Sequence, residues 1–129
     1  MQQPEIPDDV LDFLSRRIDS VPHLEALLLF WENPDVAWTP AEIGARVYVS
    51  RERSRTLLQD LMRHGFIRAA ADSESWSYDA AWDEARLMPR VAESYRRHLV
   101  PVAELIHAKA AESSSVHEFA RAFKFKQKD

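Results

Sequence analysis

Between Thr39 and Gly65 the chain carries three signals that fix where helices begin and end, and together they admit one local arrangement. Thr39-Pro40-Ala41-Glu42 opens a first helix: the threonine oxygen can accept from the backbone N–H three residues on, Glu42 can reach back to the Thr39 amide, and proline suits the first helical position, where its missing donor would go unpaired anyway. Ile43 and Val47, with Ala45 beside them, are expected to face inward. The chain turns around Tyr48-Val49. Ser50 then caps a second helix in which Leu57, Leu58, Leu61 and Met62 keep helical spacing, and Gly65 ends it by supplying the left-handed C′ conformation.

After this pair, Phe66-Ile67-Arg68 reads as the start of a strand and Trp76-Ser77-Tyr78 as its return, with small and polar residues between them as in a hairpin tip. Val36-Ala37-Trp38 is expected to add a short third strand beside it. The order helix, turn, helix, glycine, hairpin resembles the winged helix-turn-helix, most closely the MarR-like and related small bacterial transcription regulators. Leu57 to Ile67, LLQDLMRHGFI, carries much of that resemblance, which extends over roughly Val21 to Ala80. It implies a mainly α fold with a small β-wing, a recognition helix at 50–64 that enters the DNA major groove, and long C-terminal helices outside the winged domain.

The remaining elements follow from periodicity. A first helix is expected from Pro7 or Asp8 to Ile18, capped by Asp8, with Val10, Leu11, Leu14 and Ile18 on one face. Ser20 caps a second, through Leu24, Leu27, Leu28 and Trp31, so apolar that it reads as the central core helix. Beyond the hairpin, Asp79 or Asp83 begins a long helical segment to Lys109 that Pro101 should kink or restart. Ser115-Val116-His117-Glu118 opens a last helix, followed by a basic and aromatic tail. Residues 1–82 are thus expected to form the winged domain with its N-terminal helix, and 83–129 a helical packing or dimerisation segment.

At 129 residues the chain can bury a core. With two glycines and no cysteine it holds no Gly-rich phosphate loop, disulfide or thiolate metal site. MQQPEIPDDV is too acidic for a signal peptide and the apolar run Leu24 to Trp31 too short to span a bilayer, so a soluble cytoplasmic protein without a membrane partner is expected.

The formal net charge is −4, but its distribution carries more information than its sum. Residues 1–45 hold two arginines against nine acids, whereas residues 46–68 hold six against two, a basic block that coincides with the second helix of the pair. Arginine offers a planar fork for guanine and a permanent charge for phosphate, and serine can bond phosphate oxygens. The expected contacts to double-stranded DNA are Ser50, Arg51, Arg53, Ser54 and Arg55 in the first turns, with Thr56 and Gln59 further along. Arg46 and Arg63 would meet backbone phosphates, and Arg68 is the wing's one basic residue. A solvated arginine face is the plain alternative. The hairpin tip, Ala70-Ala71-Asp72-Ser73-Glu74-Ser75, departs from the family pattern by carrying acids where a DNA-gripping wing carries lysine or arginine. An adaptor that binds a basic protein through this tip and the acidic N-terminal half is therefore a second reading.

Leu87, Val91, Tyr95, Leu99, Val102 and Ile106 form a stripe that the resemblance assigns to a two-fold homodimer seam, the alternative being plain core against the chain's own first helix. Trp31, Trp38, Trp76 and Trp82, with Tyr48, Tyr78 and Phe30, could line an effector pocket or simply pack. Catalysis is not expected: His23, His64, His98, His107 and His117 are scattered, Glu104 and His107 are a lone pair on one helix face, and no nucleophile motif occurs. No metal or cofactor is expected either.

Overall fold

The computed structural model describes residues 6–72 and 74–108. The helix expected from Ser115 and the tail after it lie outside the described residues. Five helices, α1 (Asp8–Arg17), α2 (Val21–Glu32), α3 (Pro40–Val47), α4 (Arg51–Arg63) and α5 (Met88–Arg97), are accompanied by the hairpin β1 (Ile67–Ala69) and β2 (Trp76–Tyr78) and a 3-10 turn at Ala80–Trp82. A sixth helix, α6, occupies residues 99–108 of the described chain. The molecule is mainly helical with a two-stranded antiparallel sheet. None of the described helices is long and apolar enough to cross a membrane.

Most ends form where the sequence places them. Ser20 accepts from the His23 amide at the start of α2. The Thr39 hydroxyl accepts from the Glu42 amide at 3.2 Å while the Glu42 carboxylate accepts from the Thr39 amide at 2.9 Å, a complete capping box. Asp8 does not cap α1; Pro7 holds the cap position, and Asp8 and Asp9 lie in the first turn, where their charge favours the positive end of the helix.

α2 lies at the centre of the core. Leu24, Ala26, Leu27 and Phe30 are buried, against Val10, Phe13, Leu14 and Ile18 from the α1 side, Ile43 and Val47 from α3, and Leu57, Leu58 and Leu61 from α4. Phe13, not Leu11, shares the inner face of α1. Its ring stacks on Trp82 with centroids 5.5 Å apart and tilts against Phe66 at 5.7 Å. Ala45 and Met62, expected inside, are exposed. The hairpin pairs Ile67 with Tyr78 and Ala69 with Trp76. No strand forms at residues 36–38: Trp38 makes a single bridge to Trp76, with amide-to-carbonyl bonds of 2.7 and 2.9 Å in the two directions.

The C-terminal stripe is not a continuous seam. Val91, Val102 and Ile106 are buried in the chain's own core, Tyr95 donates its hydroxyl to Glu25 on α2 at 2.9 Å, and Leu87 is half-buried. Leu99, at 52% exposure, points outward with Val100. The reason is a break at His98, because Pro101 would clash with the carbonyl of residue 97 in an unbroken helix. The chain restarts with the Val102 amide on the His98 carbonyl at 3.0 Å, and the new phase turns Leu99 away from the face that Val91 occupies. The helix starts at Met88 and not at Asp79 or Asp83; Asp83 lies before it, and its carboxylate accepts from the amides of Leu87 and Met88 at 2.7 and 2.9 Å.

Candidate nucleic-acid interface

α4 is held at both ends by groups that leave its outer face clear. At its beginning, Ser50 accepts from the Arg53 amide at 3.1 Å. A Cβ on Gly44 would come within 2.8 Å of the Val49 carbonyl and 3.1 Å of the Ser54 hydroxyl, so the closeness of α3 to α4 depends on that missing methyl. The turn between them passes through Tyr48 at φ 61°, a left-handed conformation that costs a tyrosine what it would not cost glycine. At the far end Gly65, φ 83°, donates to Met62 at 2.9 Å and Phe66 donates to Leu61 at 3.1 Å, a Schellman closure. Arg17 then adds a bond from its guanidinium to the His64 carbonyl while lying over the Phe66 ring, 4.6 Å from its centroid. This clamp, across 47 positions of sequence, has no local signal.

Of the expected contacts, Ser50, Arg51, Arg53, Arg55 and Gln59 are exposed on or before α4, Arg46 is exposed at the end of α3, and Arg68 is exposed on β1. Arg46 is also steadied over the Trp38 ring at 5.3 Å. Ser54 is the exception. It is fully buried and donates to the Pro40 carbonyl at 2.7 Å, so it fastens α4 to α3 and has no outward face. Its place in the stripe Ser54, Leu57, Leu58, Leu61 was the available signal, since those spacings of three, one and three put it on the buried side.

Charge pairing sets these arginines apart from five others, though Arg17 and Arg86 also have no carboxylate within 4.0 Å among the described residues. Arg16 pairs with Asp12, Arg63 with Asp60, Arg90 with Asp9, and Arg96 and Arg97 with Glu93. Among the described residues, Arg46, Arg51, Arg53, Arg55 and Arg68 have no carboxylate within 4.0 Å. The positive field of this face is therefore not cancelled locally. No family model, curated protein or solved structure matches the chain. What this surface does is therefore read from its own side chains.

The hairpin tip is acidic for a partly structural reason. Asp72 accepts from the Glu74 amide at 2.9 Å, closing the turn, and the Ala70 amide meets the Ser75 carbonyl at 2.8 Å. Glu74 is left as an exposed charge.

Behind α4 the structure joins groups that are far apart in sequence. His23 Nε2 lies 2.9 Å from Asp60 Oδ2, and its Nδ1 lies 2.6 Å from the Ser20 hydroxyl. Arg63 holds the other Asp60 oxygen. Burial would raise the Asp60 carboxyl, but hydrogen bonds from His23 and Arg63, with their charges, outweigh it and hold it below the usual carboxylate value. His64 Nε2 stands 3.8 Å from Asp19.

Proposed function

We propose that this chain is a DNA-binding transcription regulator of the winged helix-turn-helix type, in which α3, the Tyr48 turn and α4 are the helix-turn-helix and β1–β2 is a short wing. The carrying observation is the row of exposed arginines on and around α4 that lack carboxylate partners, on a helix whose inner face and both ends are fixed. Such a helix can enter the major groove without rearranging, and its first two turns carry the donors for base edges and phosphates. Arg51, Arg55 and Gln59 follow one another at i, i+4 and i+8 and can track one groove wall. Arg46 at the end of α3 and Arg68 on β1 are exposed as well and are assigned to backbone phosphates, with the acidic tip left outside the contact.

The test is a fluorescence anisotropy titration on genomic DNA fragments with the wild type and Arg51→Ala/Arg53→Ala/Arg55→Ala. If the triple variant binds as tightly at the same salt, α4 is not the reading helix. The exposed Glu74 and the acidic first 45 residues favour a second reading, an adaptor for a basic protein. Recovery of a stoichiometric protein partner after nuclease treatment, with no DNA affinity in the titration, selects it. Homodimerisation, if it sets a half-site spacing, must use surface other than buried Val91, Val102 and Ile106. Sedimentation equilibrium at high micromolar concentration reads it directly.

A further inference from the structure

Away from the arginine face, one cluster brings metal-ligating atoms together from three separate segments. Asp19 lies in the link between α1 and α2, His23 in the first turn of α2, and Asp60 in the next-to-last turn of α4, and one ligand atom from each falls within 4.8 Å of the others. His23 Nε2 is 2.9 Å from Asp60 Oδ2 and 4.0 Å from Asp19 Oδ2, and His64 Nε2 is 3.8 Å from that same Asp19 oxygen. In a tetrahedral zinc site with bonds of about 2.0–2.1 Å, neighbouring ligand atoms stand roughly 3.3 Å apart. The separations of 2.9 and 4.0 Å from His23 to the two carboxylates bracket that value, and all three ligand atoms lie within 4.8 Å of one another, so side-chain adjustments of about 1 Å close the three-ligand set.

The surroundings are those a ligand histidine needs. Ser20 Oγ, fixed by the His23 backbone amide at 3.3 Å, sits 2.6 Å from Nδ1 and so turns Nε2 toward the carboxylates. Arg63 occupies Oδ1 of Asp60 and leaves Oδ2 facing the imidazole. Its positive charge opposes a cation, but two carboxylates stand against that one guanidinium. A cavity of about 250 Å³, lined by Ser20, His23, Asp60, Arg53 and Thr56 among others, opens beside the cluster and gives an ion and its waters a way in. One imidazole and two carboxylates, with water in the fourth position, form a borderline donor set that suits Zn(II) better than the hard Mg(II) or Ca(II).

The geometry points to a divalent metal site, of zinc type, formed by Asp19, His23 and Asp60 with water in the fourth position, that ties the end of α4 to the α1–α2 link. None of its ligands is among the proposed DNA contacts, although Arg53 and Thr56 line the cavity beside it.

Isothermal titration of the full metal-free chain with ZnCl2 tests it, with Co(II) as a spectroscopic probe and thermal unfolding as a second readout. The expected result is one tight Zn(II) per chain, visible Co(II) bands of a four-coordinate nitrogen and oxygen site, and a midpoint raised by roughly 5 °C at saturating metal. Asp19→Asn, at an exposed side chain, should keep the fold by circular dichroism and weaken Zn(II) by at least about tenfold, the lower bound seen when even an outer-shell partner is lost. His23→Gln should abolish the Co(II) bands. His107→Gln, on α6, should change neither. Binding weaker than high micromolar overturns the site. So does stoichiometric binding that survives both Asp19→Asn and His23→Gln.

Discussion

α4 and α5 are both short amphipathic helices, with four arginines and three, yet most of their arginines stand in opposite circumstances. On α5, Arg96 and Arg97 share Glu93 one turn back and Arg90 reaches Asp9 on α1 at 2.6 Å. On the first turns of α4, Arg51, Arg53 and Arg55 are exposed with no such neighbour; only Arg63 in the last turn is paired. Exposed pairs contribute little to stability, so the difference is not one of fold energy. It is a difference in what the surface presents. On α5 every arginine has a carboxylate within reach, two of them sharing one, while the first three arginines of α4 have none and are left for a polyanion to meet.

The largest expected effect breaks or keeps this contrast outright. Replacing Arg51, Arg53 and Arg55 by alanine should weaken DNA binding by about a hundredfold or more and reduce the slope of log affinity against log salt by up to roughly three units. The matched triple on α5, Arg90→Ala/Arg96→Ala/Arg97→Ala, should change affinity by less than about threefold, because each of its arginines is already held by a carboxylate. Equal losses from the two triples would mean that total charge, and not the α4 face, governs binding.

The two helices also differ in how they are anchored, and pH reads the α5 anchor. Burial, then the hydrogen bond and charge of Glu25, push the Tyr95 hydroxyl from its ordinary 10 up to about 12. For Tyr78 burial and the charge of Asp83 do the same, again to about 12. A folded value above the unfolded one means stability fully present below pH 10 and lost as pH rises from 10 toward about 12, as the unfolded chain releases protons that the folded chain retains. Denaturant midpoints measured across that window should fall, and Tyr95→Phe should flatten the fall while lowering stability by about 1 kcal/mol at neutral pH. An unchanged alkaline limb in Tyr95→Phe would place the titration elsewhere.

α4 depends instead on close approach to α3. Gly44→Ala puts a methyl 2.8 Å from a backbone carbonyl that cannot swing aside, and should cost about 1–3 kcal/mol. Ser54→Ala loses one buried bond to the Pro40 carbonyl, about 1–2 kcal/mol, and should leave the salt slope of DNA binding as it was. A changed slope would return Ser54 to the contact surface.

These positions also show what the sequence can and cannot disclose. Caps are chemistry between residues three apart, so Ser20, Thr39 with Glu42, Ser50 and Gly65 were readable as written. The arginine block was readable as charge, but its lack of partners was not, because pairing such as Arg90 with Asp9 depends on which helices pack together. The Arg17 clamp and the Ser20, His23, Asp60 row join positions 37 or more apart, where periodicity is silent. The C-terminal stripe misled because it was counted through Pro101 as one helix, although that proline had already marked the place where the phase is lost.

The smallest expected effect comes from a feature the two helices share. Each is preceded by a non-glycine residue in the left-handed region, Tyr48 at φ 61° before α4 and Arg86 at φ 56° before α5. Tyr48 is 91% exposed, so replacing it removes almost no packing. Glycine would relieve about 1–2 kcal/mol of strain and give back roughly 0.5–1 kcal/mol through the freedom of the unfolded chain. Tyr48→Gly and Arg86→Gly should therefore each raise stability by about 0.5 kcal/mol in chemical denaturation. Their effects on DNA should differ. Tyr48 stands between Arg46 and Ser50 in the turn before α4, and if α4 meets DNA its loss should weaken binding a few-fold while Arg86→Gly leaves it unchanged. A tyrosine kept in a strained turn at a cost in stability, and needed only when DNA is present, would mark that turn as part of the contact surface; equal behaviour of the two variants would make it a turn and nothing more.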